Sequence, residues 1–144
     1  MTTTIQTSRF GQLDINEEKI ITMTTPFLGF TESRRFILLP HGPDSAFWWL
    51  QSVDNPKLAF VVIQPVRIDP GYQPTIATQF QQELQALEPG ELEILVILTI
   101  PQGQPEAMTA NLLGPVVLNP IKRLAKQVLL DPIRYDPCWP VMGE

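Results

Sequence analysis

The hydrophobic positions of this chain fall in short runs separated by proline, glycine and Asx turns, and few keep a helical period. Ile5 and Thr7 lead into Phe10-Gly11-Gln12-Leu13-Asp14-Ile15, where Leu13 and Ile15 alternate with polar residues, the period-two mark of a half-buried strand. A hairpin is predicted there, followed by a strand at Ile20-Ile21-Thr22 and an apolar stretch at Pro26-Phe27-Leu28-Gly29-Phe30. Phe36 to Leu39 reads as a buried strand ended by Pro40, and residues 41–45 read as a loop. The clearest hairpin is central. Phe47 to Val53 is one strand, Asp54-Asn55-Pro56 the turn, and Leu58 to Ile63 the return, closed by Pro65. These runs are apolar at consecutive positions, which predicts strands covered on both faces, as inside a closed barrel.

One helix is predicted near residues 78–88. Thr78 and Gln81 have capping-box spacing, Phe80, Leu84 and Leu87 make an apolar stripe, and Pro89-Gly90 supplies a stop. Strands are expected at Glu91 to Ile100, Ala110 to Leu118 and Val128 to Leu130, and an extended Pro-rich tail from about Asp131. The fold class is therefore mainly β, a barrel-like fold with one short helix. No linker or internal repeat divides it, so residues 1–144 are expected to be one domain. Leu50, Phe60, Val62, Leu95, Ile97 and Val117 are the expected core.

Composition sharpens this picture. The 15 prolines disfavour long helices. The single cysteine, Cys138, excludes an internal disulfide, and with no apolar leader the expected compartment is the cytoplasm. No apolar run approaches the roughly 20 residues that span a bilayer, so no membrane association is expected. A net charge of −5 argues against direct nucleic-acid binding, which needs a basic surface. No Lys or Arg occurs between Arg67 and Lys122, whereas Asp69, Glu83, Glu88, Glu91, Glu93 and Glu106 lie there. This stretch is either a solvated face or a surface for a basic partner.

Catalytic signatures are missing. His41 is the only histidine and sits in a Gly-Pro loop near Asp44 and Ser45, with no nucleophile-elbow sequence. One Cys and one His do not make an N/S metal site, and no glycine-rich phosphate loop is present. Glu91 and Glu93 are expected on one strand face, where simple alternation explains them. An enzyme with a barrel-mouth site near His41 is the disfavoured alternative; no cofactor is expected.

Three blocks resemble the flagellar assembly factor FliW family. Phe47 to Pro65 reads F-W-W-L-Q-S-V-D-N-P-K-L-A-F-V-V-I-Q-P, like the family's F-[YW]-W-L-Q-S-x-[DE]-[DN]-P-x-L-A-F-x-V-x-x-P. Met108 to Asn119 reads M-T-A-N-L-L-G-P-V-V-L-N, like M-T-x-N-L-x-[AG]-P-[IV]-x-[IV]-N, and Lys126 to Asp131 is the third block. The likeness runs from the Phe10-Gly11 hairpin to about Tyr135. It departs at Pro26 to Thr31, where the family has Gly-Leu-Pro-Gly-Phe-Glu, and in the tail.

The resemblance implies a mostly β, barrel-like protein without catalysis, monomeric alone. It would bind newly made flagellin in the cytoplasm and also bind CsrA, a basic RNA-binding repressor of flagellin translation, switching between the two. An adaptor that keeps one partner is the alternative, left open by the altered loop and tail. Candidate contact residues are Trp48 and Trp49, adjacent in a strand and so on opposite faces; Glu88, Glu91 and Glu93 for the basic partner; and Met108, Thr109 and Asn111 as adaptable surface for flagellin. Tyr135 and Trp139 in the tail complete the set. Asn111 either meets a partner backbone or caps its own turn.

Overall fold

The structure, a computed structural model, describes residues 1–142. Its strands are β1 (Thr2–Thr7), β2 (Gly11–Asn16), β3 (Ile21–Met23), β4 (Arg35–Pro40), β5 (Trp48–Ser52) and β6 (Ala59–Ile63). After helix α1 (Thr78–Glu83) come β7 (Glu93–Thr99), β8 (Thr109–Ala110), β9 (Val116–Asn119), β10 (Leu124–Gln127) and β11 (Trp139–Pro140). The sheet order β7-β6-β5-β4-β3-β10-β9 closes on itself through pairing of β9 with β7, giving a seven-stranded barrel. Every junction is antiparallel except β3 with β10. The expected mainly β barrel with one short helix is the fold observed.

Alternation along the strands explains the continuous apolar runs. Phe36, Leu50, Val62, Leu95, Val116, Leu118 and Ala125 point inward to one core, with Leu38, Phe60 and Ile97 packed against it. The intervening residues point outward and are covered three ways. The β1–β2 hairpin lays Ile5 and Ile15 on Ile37 of β4. Ile76 and Leu84 of the helical segment cover Val117 and Val128. Tyr72, Met108 and Leu112 cover Ile63, Val96 and Leu98. Val117 is buried as expected, but beneath the helix and outside the barrel. Burying such aliphatic side chains stabilises by roughly 1.5–3 kcal/mol each, so the outer coverings matter as much as the barrel interior.

Phe27 plugs one barrel end, its ring 4.8 Å from Phe60 and 5.5 Å from Phe36. The loop beyond it turns through Gly29 at φ +88°, where a side chain would be strained, and leaves Leu28 96% exposed.

Several expectations are corrected. The helix stops at Glu83, because Gln85 takes φ 61° and closes a Schellman motif. In that motif Ala86 N–H donates to Gln81 O at 2.9 Å and Gln85 N–H to Gln82 O at 3.0 Å. Leu87 therefore leaves the predicted stripe and is 90% exposed. Ala77, not Thr78, is the N-cap, and the Gln81 amide donates to Ile76 O at 2.8 Å.

The predicted strand Ala110 to Leu118 is two strands. Asn111 Oδ1 accepts from Leu113 N–H at 3.1 Å and Gly114 N–H at 2.9 Å and bends the chain between them. The break lets one edge of β7 pair twice, with β9 at Glu93–Leu95 and with β8 at Leu98–Thr99. A Cβ on Gly114 would sit 3.0 Å from Gln127 Nε2 and 3.3 Å from Asn111 Nδ2, so a larger residue at the bend would have to push these side chains aside. The last barrel strand is Leu124–Gln127 rather than Val128–Leu130, since it is Leu124 to Gln127 that pair with Asn119 to Val116 of β9. Val128 and Leu130 still donate to Pro115 O and Leu113 O at 3.0 and 2.9 Å. The tail is not simply extended. It turns at Asp131, whose carbonyl accepts from Arg134 and Tyr135 N–H at 3.0 Å, before β11 pairs with β8.

Candidate partner-binding surfaces

The Phe47–Pro65 block divides by role. Its second half builds a turn. Gln51 Nε2 donates to Ser52 O and Leu58 O at 3.0 and 3.1 Å, and Ser52 Oγ accepts from Asn55 N–H at 2.8 Å. Asp54 accepts from the backbone N–H of Arg34 and Arg35 and from the Arg35 guanidinium, at 2.8–3.0 Å. Burial alone would raise the Asp54 carboxyl, but these hydrogen bonds and the Arg35 charge outweigh it and hold the group below the usual carboxylate range.

The first half holds the two tryptophans, which face opposite ways as strand alternation requires. Trp49 points outward into a stack, its ring 5.6 Å from His41 and 6.1 Å from Phe10, with the Arg9 guanidinium 4.0 Å above it. His41 is thus part of this exposed stack. Trp48 points inward at the open barrel end and is 38% exposed. With Leu38 it lines two adjoining clefts of about 480 and 360 Å³. The first also holds Lys19 and Arg123, the second Arg67 and Glu93. Arg123, at φ 58°, donates through Nη2 to Lys19 O at 2.7 Å, while its buried Nε has no partner. Burial lowers the Arg123 pKa and the nearby Glu93 charge opposes that.

The three acidic candidates do not share a strand. Glu91 lies in a 3-10 turn, Pro89–Glu91, before β7 begins at Glu93, which corrects the single-face expectation. Glu88, Glu91 and Glu93 are all exposed. Glu91 Oε1 accepts from Leu87 N–H at 3.3 Å. Leu87, Gln85, Ala86 and Glu91 line a shallow cleft with Lys122, so this acidic surface carries an exposed apolar residue that the predicted helical stripe had assigned to the core. Glu83, by contrast, is already engaged. A 2.6 Å hydrogen bond from Thr24 lowers its pKa first, and Lys126 at 3.4 Å adds to it.

The tail covers the second block. Trp139 pairs with Ala110 and Pro140 with Thr109, and Val141 N–H donates to Met108 O at 3.2 Å. Tyr135 packs edge-on against Tyr72 at 5.5 Å, and the Tyr72 hydroxyl donates to Leu112 O at 2.8 Å. Burial, reinforced by Tyr135, pushes the Tyr72 pKa up. Met108 is buried in this cluster, Thr109 is half-buried and Asn111 spends its carbonyl oxygen on its own turn. Trp139 is 37% exposed on the outer edge. The structure therefore brings the Met108–Asn111 and Tyr135–Trp139 candidates together, but with Met108 buried beneath the tail, which corrects its reading as adaptable surface. It places Trp48 beside Glu93 and leaves Trp49 apart. Lys19, Arg67 and Arg123 at the barrel mouth were not anticipated, because residues so far apart in sequence leave no local signal.

Among the described residues no group of three His, Cys, Asp or Glu is placed to hold a metal ion, and no helix is long and apolar enough to cross a membrane. Fold and surface define a small closed β-barrel whose distinctive features are exposed aromatic, aliphatic and acidic side chains. The family model described as FliW protein matches residues 4–141, and the chain belongs to that family of flagellar assembly factors. It is 41% identical over 140 residues to the flagellar assembly factor FliW of Magnetococcus marinus, covering 97% of this chain and 85% of the relative. It is 36% identical to that of Natranaerobius thermophilus, covering 97% and 93%. A crystal structure of the flagellar assembly factor FliW superposes with a TM-score of 0.89 at 33% identity, covering 99% of each chain.

Proposed function

We propose that this flagellar assembly factor is a cytoplasmic adaptor, one domain across residues 1–144, that captures newly made flagellin and the translational regulator CsrA in turn. It performs no catalysis and touches neither nucleic acid nor membrane directly. The observation that carries this reading is the match to flagellar assembly factors over nearly the whole chain, in sequence and in fold. Two surface features support it. The exposed Glu88, Glu91 and Glu93, in a stretch without Lys or Arg, suit a basic partner such as CsrA. The Thr109 and Tyr135–Trp139 surface, beneath which Met108 is buried, supplies with Trp48 and Trp49 candidate apolar contacts for flagellin.

The switch needs only mass action. When bound flagellin is exported, free adaptor accumulates, takes up CsrA and relieves repression of flagellin translation, provided the two bindings exclude one another. The test is co-purification of flagellin and of CsrA with the tagged chain, each mixed separately. Both should be retained. Retention of one alone would mean an adaptor that has kept a single partner, and retention of neither would refute the reading.

A further inference from the structure

The open barrel end is unlike the rest of this acidic molecule. Three of its ten basic residues, Lys19, Arg67 and Arg123, ring that opening. None of the three is ion-paired among the described residues, where the two ion pairs are Arg35–Asp54 and Lys126–Glu83. The nearest acids are partly committed. Asp14 accepts from Thr4 Oγ1 at 2.7 Å, and the charge of Glu93 acts on Arg123. Arg123 also keeps a buried Nε–H without an acceptor, an arrangement that is unfavourable in a folded chain.

The same opening exposes a strand edge. β4 pairs with β3 only at Arg35 and Phe36, so Ile37–Pro40 has a neighbour on the β5 side alone. The Arg34 carbonyl accepts from Met23 N–H at 2.7 Å across the β3 side. Backbone groups two residues apart face the same way in a strand, so the Leu38 carbonyl also faces that side, into the 480 Å³ cleft and with no strand opposite. The two clefts share Leu38 and Trp48. They form one trough with an apolar centre, Lys19 and Arg123 toward one end and Arg67 toward the other.

We propose that this trough is a docking site for an extended peptide segment of a partner protein that carries apolar residues flanked by carboxylates. The segment adds to the free edge of β4, seats an apolar side chain on Trp48 and Leu38, and places acidic side chains against Lys19 and Arg123 at one end and Arg67 at the other. Charge complementarity selects the acidic flanks, since Lys19, Arg67 and Arg123 outnumber the carboxylates Asp14 and Glu93 there, in a chain of net charge −5. The unpaired edge selects an extended chain, since only a backbone continues the ladder. This site meets the acidic surface proposed for CsrA at Glu93, which lies in the cleft with Arg67, and its chemistry is the opposite one.

The test uses the full chain labelled with nitrogen-15 and an acetylated, amidated peptide Glu-Glu-Leu-Phe-Glu-Glu at up to millimolar concentration. The Trp48 indole N–H resonance, identified by its loss in Trp48→Phe, should shift saturably. The Lys19→Glu/Arg67→Glu double variant, whose changes lie on exposed side chains, should keep its melting temperature and bind at least tenfold more weakly. A twin peptide with Lys in place of Glu should not shift wild type and should shift the double variant. No shift of Trp48 with the acidic peptide, equal binding by the double variant, or equal binding of the Lys twin would overturn the proposal. Glutarate alone shifting Trp48 at the same concentration as the peptide would assign the trough to small acids and overturn it too. Each outcome stands whether or not flagellin or CsrA is captured.

Discussion

Gln85 ends the only α-helix among the described residues from a left-handed conformation, φ 61°, that glycine adopts without penalty. Its side chain is exposed. Replacing it with glycine should therefore stabilise the protein. An L-residue in this region costs roughly 1–2 kcal/mol, and glycine's extra freedom in the unfolded chain returns roughly 0.5–1 kcal/mol of that. The expected gain is about 0.5–1 kcal/mol. With an unfolding entropy of roughly 2.1 cal/mol/K per residue, the midpoint of a chain this long should rise by about 2–3 °C. Urea titration should show a higher midpoint with an unchanged slope, because no surface changes hands. Gln85→Ala is the control and should give no gain, since alanine keeps the Cβ that the left-handed region penalises. Destabilisation by Gln85→Gly, or equal effects of glycine and alanine, would refute the Schellman assignment and with it the reason Leu87 and Glu88 leave the helix.

Leu50→Ala should cost about 2–5 kcal/mol, because Leu50 is fully buried at the barrel centre and the strands cannot collapse onto the gap; a near-neutral urea midpoint would contradict the barrel interior. Asp54→Asn should cost on the order of 1 kcal/mol at pH 7, a modest figure because Arg35 is half exposed. Since the folded pKa of Asp54 is depressed, its contribution is present above the unfolded value near pH 4 and is lost as pH falls through the folded value. Melts from pH 7 to pH 2 should converge for wild type and Asp54→Asn, and a constant gap would refute this. Met108→Asp should unfold or strongly destabilise the protein by burying a carboxylate under the tail; a wild-type melting temperature would show that the tail lifts readily off β8. Glu88→Lys, Glu91→Lys and Glu93→Lys combined should slow CsrA association and flatten its salt dependence, and unchanged stopped-flow rates would reduce this stretch to a solvated face.

How much of this was legible in the sequence depends on what each residue answers to. The Phe47–Pro65 hairpin was readable because both strands and their turn are local, and Asp54, Asn55 and Pro56 carry the turn chemistry themselves. Strands with two covered faces also predicted the barrel, since alternation is lost only when something lies outside. The break at Asn111 was hidden because β7 must be paired along its whole edge by two strands, a constraint from the far side of the barrel. Asn111 nonetheless carries a local signal, because an Asx side chain can cap its own turn. The helix stop was missed because Gln85 carries no turn signature, and Pro89-Gly90 supplied a stronger one further on. Of the candidate surfaces, Trp48 against Trp49 was separable by strand parity alone. That Met108 lies beneath Tyr135 and Val141 was not, because β11 meets β8 only after the chain has made a full β9–β10 hairpin.

Alternation between two partners is open to a direct test, a competition titration. CsrA is titrated into the chain by isothermal calorimetry, alone and with increasing fixed concentrations of flagellin kept monomeric. If the two bindings exclude one another, the apparent Kd for CsrA rises in proportion to free flagellin once flagellin exceeds its own Kd, with unchanged stoichiometry. A Kd for CsrA that ignores flagellin would contradict it.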